Sequence, residues 1–254
     1  MKYIFSWGGG VNSTAILAMM RLGMLPELTP ENTTIVFADT GAEMPYTYEH
    51  TTTCRFMDKQ KWKWVLLHPM DERWAKYYPE RLGGLPLPEY CLKNKVIPTR
   101  MFRWCSGDLK VKPINAFKKT LGEDVTTIIG IANDEQKRAK ELGKPNIWYP
   151  LIDHSLTRQG CIDIIRKAGL PEAKKSGCYF CPFQTKDSWL EVYHNFPDLF
   201  AKTEQIENNC KQKDFYLRGD KPIKHYIDFW LKKQKKECDQ PDMFELDRHC
   251  LCEL

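Results

Sequence analysis

Apolar residues recur along this chain in short runs, separated by glycine-rich or polar punctuation. Lys2 to Phe5 is short, apolar and aromatic, and predicts a first strand. Ala15, Ile16, Leu17, Met19, Met20 and Leu22 then predict a strongly apolar helix that stops near Gly23. Thr33 to Ala38 is a β-branched run, the pattern of a buried parallel strand, and Asp39-Thr40-Gly41 ends it. A helix is expected from Pro45 to about Met57, a third strand at Trp64 to Leu67, and a fourth from Val125 to Ile131, closed by Gly130. Strands alternating with helices predict an open, twisted parallel sheet with helices on both faces. The rhythm breaks between about residues 70 and 100, where Gly83-Gly84 and several prolines point to a loop insertion or lid. Beyond Ser176 no strand pattern appears. Amphipathic stretches at Trp189 to Tyr193, Leu199 to Ile206 and Ile223 to Leu231 predict helices instead. The expected organisation is an α/β domain over residues 1–175 and a mostly helical, cysteine-bearing appendage over 176–254.

A length of 254 residues suits that division. No stretch approaches the roughly 20 apolar residues that span a bilayer, so no membrane partner is expected. The first residues run directly into Tyr3-Ile4-Phe5, with no long apolar core or small-residue cleavage site. That pattern predicts no signal peptide and a cytoplasmic location. The net charge of +5 is mild and fits an anionic substrate as readily as a merely soluble surface; a nucleic acid stays open as a partner. Ten cysteines in such a chain point to metal, cluster or redox chemistry rather than to disulfides.

The most informative segment is Ser6-Trp7-Gly8-Gly9-Gly10-Val11-Asn12-Ser13-Thr14, between the first strand and the first helix. Three glycines let backbone curl closely around an anion, because no Cβ obstructs the approach. Free N–H groups at the helix start then face the phosphate. Ser6, Ser13 and Thr14 add hydroxyls, and Trp7 is placed to stack on a base or cap the phosphate site. The Gly-Lys-Ser/Thr ending of a Walker loop is absent. Cys178-x-x-Cys181, between Gly177 and Pro182, sets two thiols on one tight turn, a ligand spacing for zinc or an iron–sulfur cluster that needs about two more ligands.

The glycine loop resembles the pyrophosphate loop of the adenine-nucleotide α-hydrolase superfamily, and the chain as a whole is similar to the phosphoadenosine phosphosulfate (PAPS) reductase family. Further segments carry the resemblance in order over roughly residues 1–200. They are Phe37-Ala38-Asp39-Thr40-Gly41-Ala42-Glu43, then Arg103-Trp104-Cys105-Ser106-Gly107-Asp108-Leu109-Lys110-Val111-Lys112-Pro113, then Gly130-Ile131 with Glu135 and Arg138, and finally Lys175-Ser176-Gly177-Cys178-Tyr179-Phe180-Cys181-Pro182. The resemblance implies that Asp39 lies near the adenosine or a metal, that Gly130, Glu135 and Arg138 join the nucleotide site, and that Lys110 and Arg103 meet phosphate or sulfate oxygens. It implies a 4Fe-4S cluster at the cysteine pair, with Cys105 as a further ligand. Cys161 is the next candidate, and Cys91 and His154 follow. Sulfonucleotide reductases carry a nucleophilic cysteine on a C-terminal tail, which here would be Cys250 or Cys252, without the usual Gly-Leu-His follow-up. Members that cleave ATP carry Lys and Asp in the loop, where Val11 and Asn12 stand here.

Three readings follow. In the first, the chain is a PAPS-reductase-like oxidoreductase, in which a tail thiolate attacks the sulfonate and a thioredoxin-like reductant releases sulfite. In the second, it uses ATP and Mg²⁺ to adenylate a nucleic acid or small molecule, which then takes sulfur from a donor. In the third, it is a nucleotide-sensing cluster protein without turnover.

Overall fold

The computed structural model describes residues 1–59, 61–142, 146–212 and 214–238. Strand β1 (Lys2–Trp7) leads through the glycine loop into helix α1 (Val11–Arg21); β2 (Thr33–Ala38), α2 (Pro45–Phe56) and β3 (Lys63–Leu67) follow. The next stretch holds α3 (Glu72–Ala75), α4 (Leu87–Asn94) and α5 (Trp104–Ser106). From α5 the chain runs through a π-helical turn, Gly107–Val111, directly into α6 (Lys112–Lys119). Then come β4 (Val125–Ile129), α7 (Gln136–Leu142), β5 (Ile147–Trp148), α8 (Pro150–Asp153) and α9 (Arg158–Lys167). Three helices close the described chain, α10 (Lys186–Asn195), α11 (Pro197–Asn208) and α12 (Ile223–Cys238).

The five strands are all parallel, in the order β3-β2-β1-β4-β5. The chain leaves β1 toward one side and fills the other side only with β4. The connections after β1 and β4 therefore diverge and open a crevice at the carboxyl ends of these two strands. The glycine loop lies there.

Each strand sends alternate residues to opposite faces, which is why β2 is buried along its whole length. Phe5, Trp7, Ile35, Phe37 and Ile128 face one apolar layer, completed by α1, α8 and α9. Ile4, Val36, Val65, Leu67 and Val125 face the other, built with α4, α6 and α10 to α12. The C-terminal helices thus share one core with the sheet. Residues 70–100 do not form the loop or lid expected from their glycines and prolines. Leu82, Leu87, Tyr90, Cys91 and Ile97 are buried in that same core, and Pro86 leads into α4. The apolar positions of this stretch outweigh its punctuation. The two-residue strand β5 was missed in the sequence because so short a run has no period to read.

Glu207 on α11 ties the last helices together. Its buried carboxylate accepts the backbone N–H of Leu217 at 2.9 Å and of Ile223 at 2.8 Å, the latter at the start of α12. Glu207→Ala leaves both donors buried and unpaired. The expected loss is about 2–4 kcal/mol of stability, read as a lower urea midpoint at an unchanged m-value. A midpoint equal to that of the unsubstituted protein would show that the carboxylate does not hold this junction.

Candidate nucleotide and thiol site

The loop owes its shape to Gly9, whose φ of +67° is left-handed, a region that costs other residues roughly 1–2 kcal/mol. A Cβ there would also stand 2.8 Å from Thr47 Cγ2. Ser13 Oγ accepts the Gly10 N–H at 3.1 Å and donates to the Gly10 carbonyl at 2.9 Å; Thr14 Oγ1 donates to the same carbonyl at 3.0 Å. These two hydroxyls brace the loop from behind. Thr14 has no exposed surface, so it does not serve as the phosphate donor expected from the sequence. His50 Nε2 lies 2.8 Å from Thr14 Oγ1 and 3.5 Å from Cys54 Sγ. Gly130, at the end of β4, abuts the loop from the other side. A Cβ on it would come within 3.0–3.2 Å of the backbone of Asn12 and Ser13.

Trp7 does not reach the crevice either. It is buried, stacks on His50 at 6.0 Å, meets Trp64 edge-on and donates Nε1–H to Thr51 Oγ1. Its position as the last residue of β1 sends the ring into the apolar layer beneath the loop.

Ser6, Gly8, Gly10, Asn12, Ser13 and Gly130 line an open hollow of about 270 Å³ with Arg138, Arg158, Lys175 and Ser176. Arg158 opens α9, and Lys175 and Ser176 precede the cysteine turn. Three cations therefore surround a loop that carries none of its own. The Asn12 amide donates to Glu135 Oε2 at 3.1 Å and lies 3.4 Å from the Gly130 carbonyl, while its Oδ1 is buried without a partner among the described residues. Glu135 is also 3.7 Å from Arg138 Nη1. Asp39 lines no part of this hollow. It accepts the Gly41 N–H and the Tyr48 hydroxyl, both at 2.8 Å, and shapes the turn that ends β2. Burial raises its pKa above the usual carboxylate value, with neighbouring Glu43 adding to the rise.

A second cavity of about 430 Å³ opens beside the first, and Cys105, Cys178 and Cys181 all line it, with Arg103 and Phe183. The cysteine turn is anchored on residues 42–44. Met44 N–H donates to the Gly177 carbonyl at 3.0 Å and Tyr179 N–H to the Ala42 carbonyl at 2.9 Å. Inside the turn, Cys181 N–H donates to the Cys178 carbonyl at 3.1 Å, and the Gln184 amide donates to the carbonyls of Cys178 and Tyr179. Cys105 comes from α5. Burial pushes all three thiols above the ordinary cysteine value, and for Cys178 the Glu43 carboxylate adds to the rise. As free thiols they are protonated at neutral pH and are poor nucleophiles.

Lys110 and Glu43 meet behind this cavity. Lys110 Nζ is 2.6 Å from Glu43 Oε1. Burial alone would lower the lysine pKa, yet the Glu43 carboxylate holds it above the usual value. Lys110, expected to contact a ligand, is thus engaged with a buried carboxylate. Arg103 is exposed and lies 5.0 Å over the Phe183 ring. Glu43 was missed as a site residue. Arg158, Lys175 and Ser176 were also missed as site residues, because single surface cations and serines carry no periodic signal.

The other cysteine candidates lie elsewhere. Cys161 is fully buried on α9, in the layer across the sheet, so it does not join the pair. Cys91, on α4, is fully buried in the core, close enough to Cys105 and Cys210 for their charges to act on its thiol, but it lines neither cavity. His154 lines a separate hollow with Met1, Tyr3 and Trp148, by the amino ends of the strands. Cys250 and Cys252 lie outside the described residues. Among the described residues no three His, Cys, Asp or Glu side chains are gathered closely enough to hold a metal ion, and no helix is long and apolar enough to cross a membrane.

No family profile matches this chain. It is 25% identical over 201 residues to the uncharacterized protein MJ0973 of Methanocaldococcus jannaschii, covering 73% of this chain and 44% of that one. It is 24% identical over 250 residues to MJ0066 of the same organism, covering 91% and 46%. The chain thus spans about half the length of the curated relatives it matches. Among solved structures, the U34-tRNA thiolase NcsA from Methanococcus maripaludis with its 4Fe-4S cluster is similar at 12% identity and a TM-score of 0.40, over 82% of this chain and 71% of that one.

Two outcomes test this geometry. Gly9→Ala places a Cβ against Thr47 at a left-handed backbone position. It should weaken nucleotide binding at least about tenfold, by calorimetry, with the far-UV spectrum retained; unchanged affinity refutes the loop as the phosphate site. His50 has its pKa lowered by burial from an ordinary 6.5. The unfolded chain therefore takes up a proton more readily than the folded one. Its contribution to stability is full above the ordinary value and is lost as pH falls below it. His50→Gln should flatten the pH dependence of the urea midpoint between about pH 7 and pH 5, and a parallel slope in both proteins would contradict this.

Proposed function

We propose that this chain is an ATP-dependent sulfur transferase that holds nucleotide phosphates at its glycine loop and conducts sulfur chemistry at Cys105, Cys178 and Cys181. One observation carries the reading: Arg138, Lys175 and Ser176 line both the loop hollow and the cysteine cavity. Phosphates and sulfur chemistry would face each other across a shared cationic wall. The loop lacks both the cation and the carboxylate that ATP-cleaving members carry where Val11 and Asn12 stand. Arg138, Arg158 and Lys175 around the loop would replace the cation from outside it, while no Asp or Glu among the described residues lines the hollow to replace the carboxylate. Sulfonucleotide reduction is the weaker reading, since its nucleophile would have to come from Cys250 or Cys252. The cysteines beside the phosphates lie instead in the body of the chain.

Cys105, Cys178 and Cys181 line one cavity without standing at metal-ligand spacing; what supports a 4Fe-4S cluster, with zinc as the alternative, is the thiol-only chemistry of this donor set. Cys105, Cys178 and Cys181 would hold it, and once bound it would supply a soft metal site for a sulfur donor. The remaining work belongs to the chain. The backbone of Gly8 and the N–H groups of Val11, Asn12 and Ser13 at the start of α1 bind the phosphates. Arg138 and Lys175 offset charge as pyrophosphate leaves, together with the Mg²⁺ that accompanies ATP. The acceptor's carbonyl oxygen attacks the α-phosphorus and the bond to the β-phosphate breaks. Sulfur at the sulfide level then attacks the carbon, and AMP departs with the original oxygen. No net redox change occurs.

The test is an anaerobic preparation given ATP, Mg²⁺ and sulfide with a nucleic-acid or metabolite fraction as acceptor, or PAPS with a thiol reductant. AMP and pyrophosphate with sulfur in the acceptor are expected from the first mixture. Sulfite from the second, without ATP cleavage in the first, would establish the reductase instead. Nucleotide binding without product in either would leave a sensor. Cys105→Ala, Cys178→Ala and Cys181→Ala should each lower the iron content and end sulfur transfer, with ATP affinity unchanged. Full metal content in all three would remove these cysteines from the ligand set.

A further inference from the structure

Thr99 and Arg103 line the cysteine cavity, and between them runs Arg100-Met101-Phe102, a stretch without regular secondary structure that exposes apolar residues to an unusual degree. Met101 is 91% exposed, Phe102 71%, and Phe183 across the rim 45%. Arginine interleaves with these side chains. The guanidinium of Arg103 sits 5.0 Å above the Phe183 ring and that of Arg100 6.0 Å from it. Arg100 Nε–H also donates to the Pro182 carbonyl at 2.9 Å, which fastens the segment to the cysteine turn. Neither arginine has a carboxylate partner among the described residues. No Asp or Glu among the described residues lines the cysteine cavity or the loop hollow.

A soluble surface does not ordinarily leave two phenyl rings and a methionine in water beside unpaired guanidinium groups. Flat rings want a flat partner, and the guanidinium groups want an anion. An unpaired nucleic-acid strand satisfies both, since every base has a face that stacks and every linkage carries a charge. A duplex does not, because its bases are already stacked and cannot enter the cavity. We propose that this rim is the acceptor platform. A single strand lies across Arg100 to Arg103, its bases stack on Phe102 and Phe183, and its phosphates meet Arg100 and Arg103. One base is thereby delivered to the cysteine cavity. The inference rests on the sulfur-transfer reading and names its acceptor as a base in an unpaired strand.

The test uses the full chain and fluorescence anisotropy with labelled oligonucleotides of about 12 nucleotides, long enough for a site of this size. Single-stranded RNA, single-stranded DNA and a duplex of the same sequence are compared. A single strand should bind more tightly than the duplex, and the tighter of the two strands identifies the acceptor polymer, with equal binding also in favour. Phe102→Ala and Phe183→Ala should each weaken that binding roughly 5- to 150-fold, and Phe183→Tyr should restore it. Arg103→Gln should make binding less sensitive to salt. Both rings are at the surface, so circular dichroism is expected to be unchanged. ATP affinity is measured in parallel by calorimetry. Strand binding absent while ATP binds normally would overturn the platform and leave the proposed function standing, whereas absent ATP binding would count against that function. Duplex binding equal to single-strand binding, or a Phe102→Ala/Phe183→Ala protein that binds like the original, would also overturn it.

Discussion

Glu43 has a side chain with no exposed surface, and Lys110, 2.6 Å away, is the cation that makes its burial tolerable. Three separate pieces of chain meet at this pair. Glu43 belongs to the turn after β2 and forms a bridge with Cys178. Lys110 belongs to the π-helical turn that follows Cys105. The cysteine side of the site is therefore assembled around one buried charge pair. Removing Lys110, whose side chain is partly exposed, would strand the Glu43 carboxylate in a dry interior, a loss of about 3–5 kcal/mol in comparable settings. Glu43 Oε2 has no hydrogen-bond partner among the described residues, so the carboxylate depends heavily on this lysine.

The same π-helical turn is held from its other side by Asp108. This buried carboxylate pairs with Arg81 and, at 2.7 Å, with Lys112. The Arg81 guanidinium also lies over the rings of Tyr90 and Trp104. Arg81 comes from the stretch that looks like loop in the sequence, and this contact gives that stretch a physical purpose. It supports the segment that carries Cys105. Wide turns of this kind recur at functional sites because they displace side chains from regular helical positions.

Much of the fold was legible because its signals are local. Thr33 to Ala38 reads as a buried strand, and Gly8-Gly9-Gly10 after an apolar run reads as a phosphate loop. Both statements need only neighbouring residues. Residues 70–100 misled for the same reason: Gly83, Gly84 and the prolines speak locally for a loop, while Leu82, Tyr90 and Cys91 are committed to a core that forms only at long range. The fate of Trp7 was hidden in the same way. A loop position suggested a ligand contact, but the alternation of β1 decides which face its ring meets, and His50 and Trp64 lie far off in sequence. Cys161 ranked behind Cys105 in the sequence only because it lies outside the family motif, and the sheet is what separates them onto opposite faces. Arg158 and Lys175 could not be told from ordinary surface cations, since only folding brings them to the loop.

Arg138, Lys175 and Ser176 belong to two cavities at once, and that makes the cavities thermodynamically dependent. Whatever anion fills one hollow draws on charge that the other also uses. Linkage requires the effect to be mutual: if occupancy of the first lowers affinity at the second by some factor, the second lowers the first by the same factor. Such antagonism would order events in time. An anion leaving the loop would release cationic charge to the neighbouring cavity, and its return would loosen what sits there. A wall of three side chains would then act as a two-way balance, with no moving domain needed to pass the message.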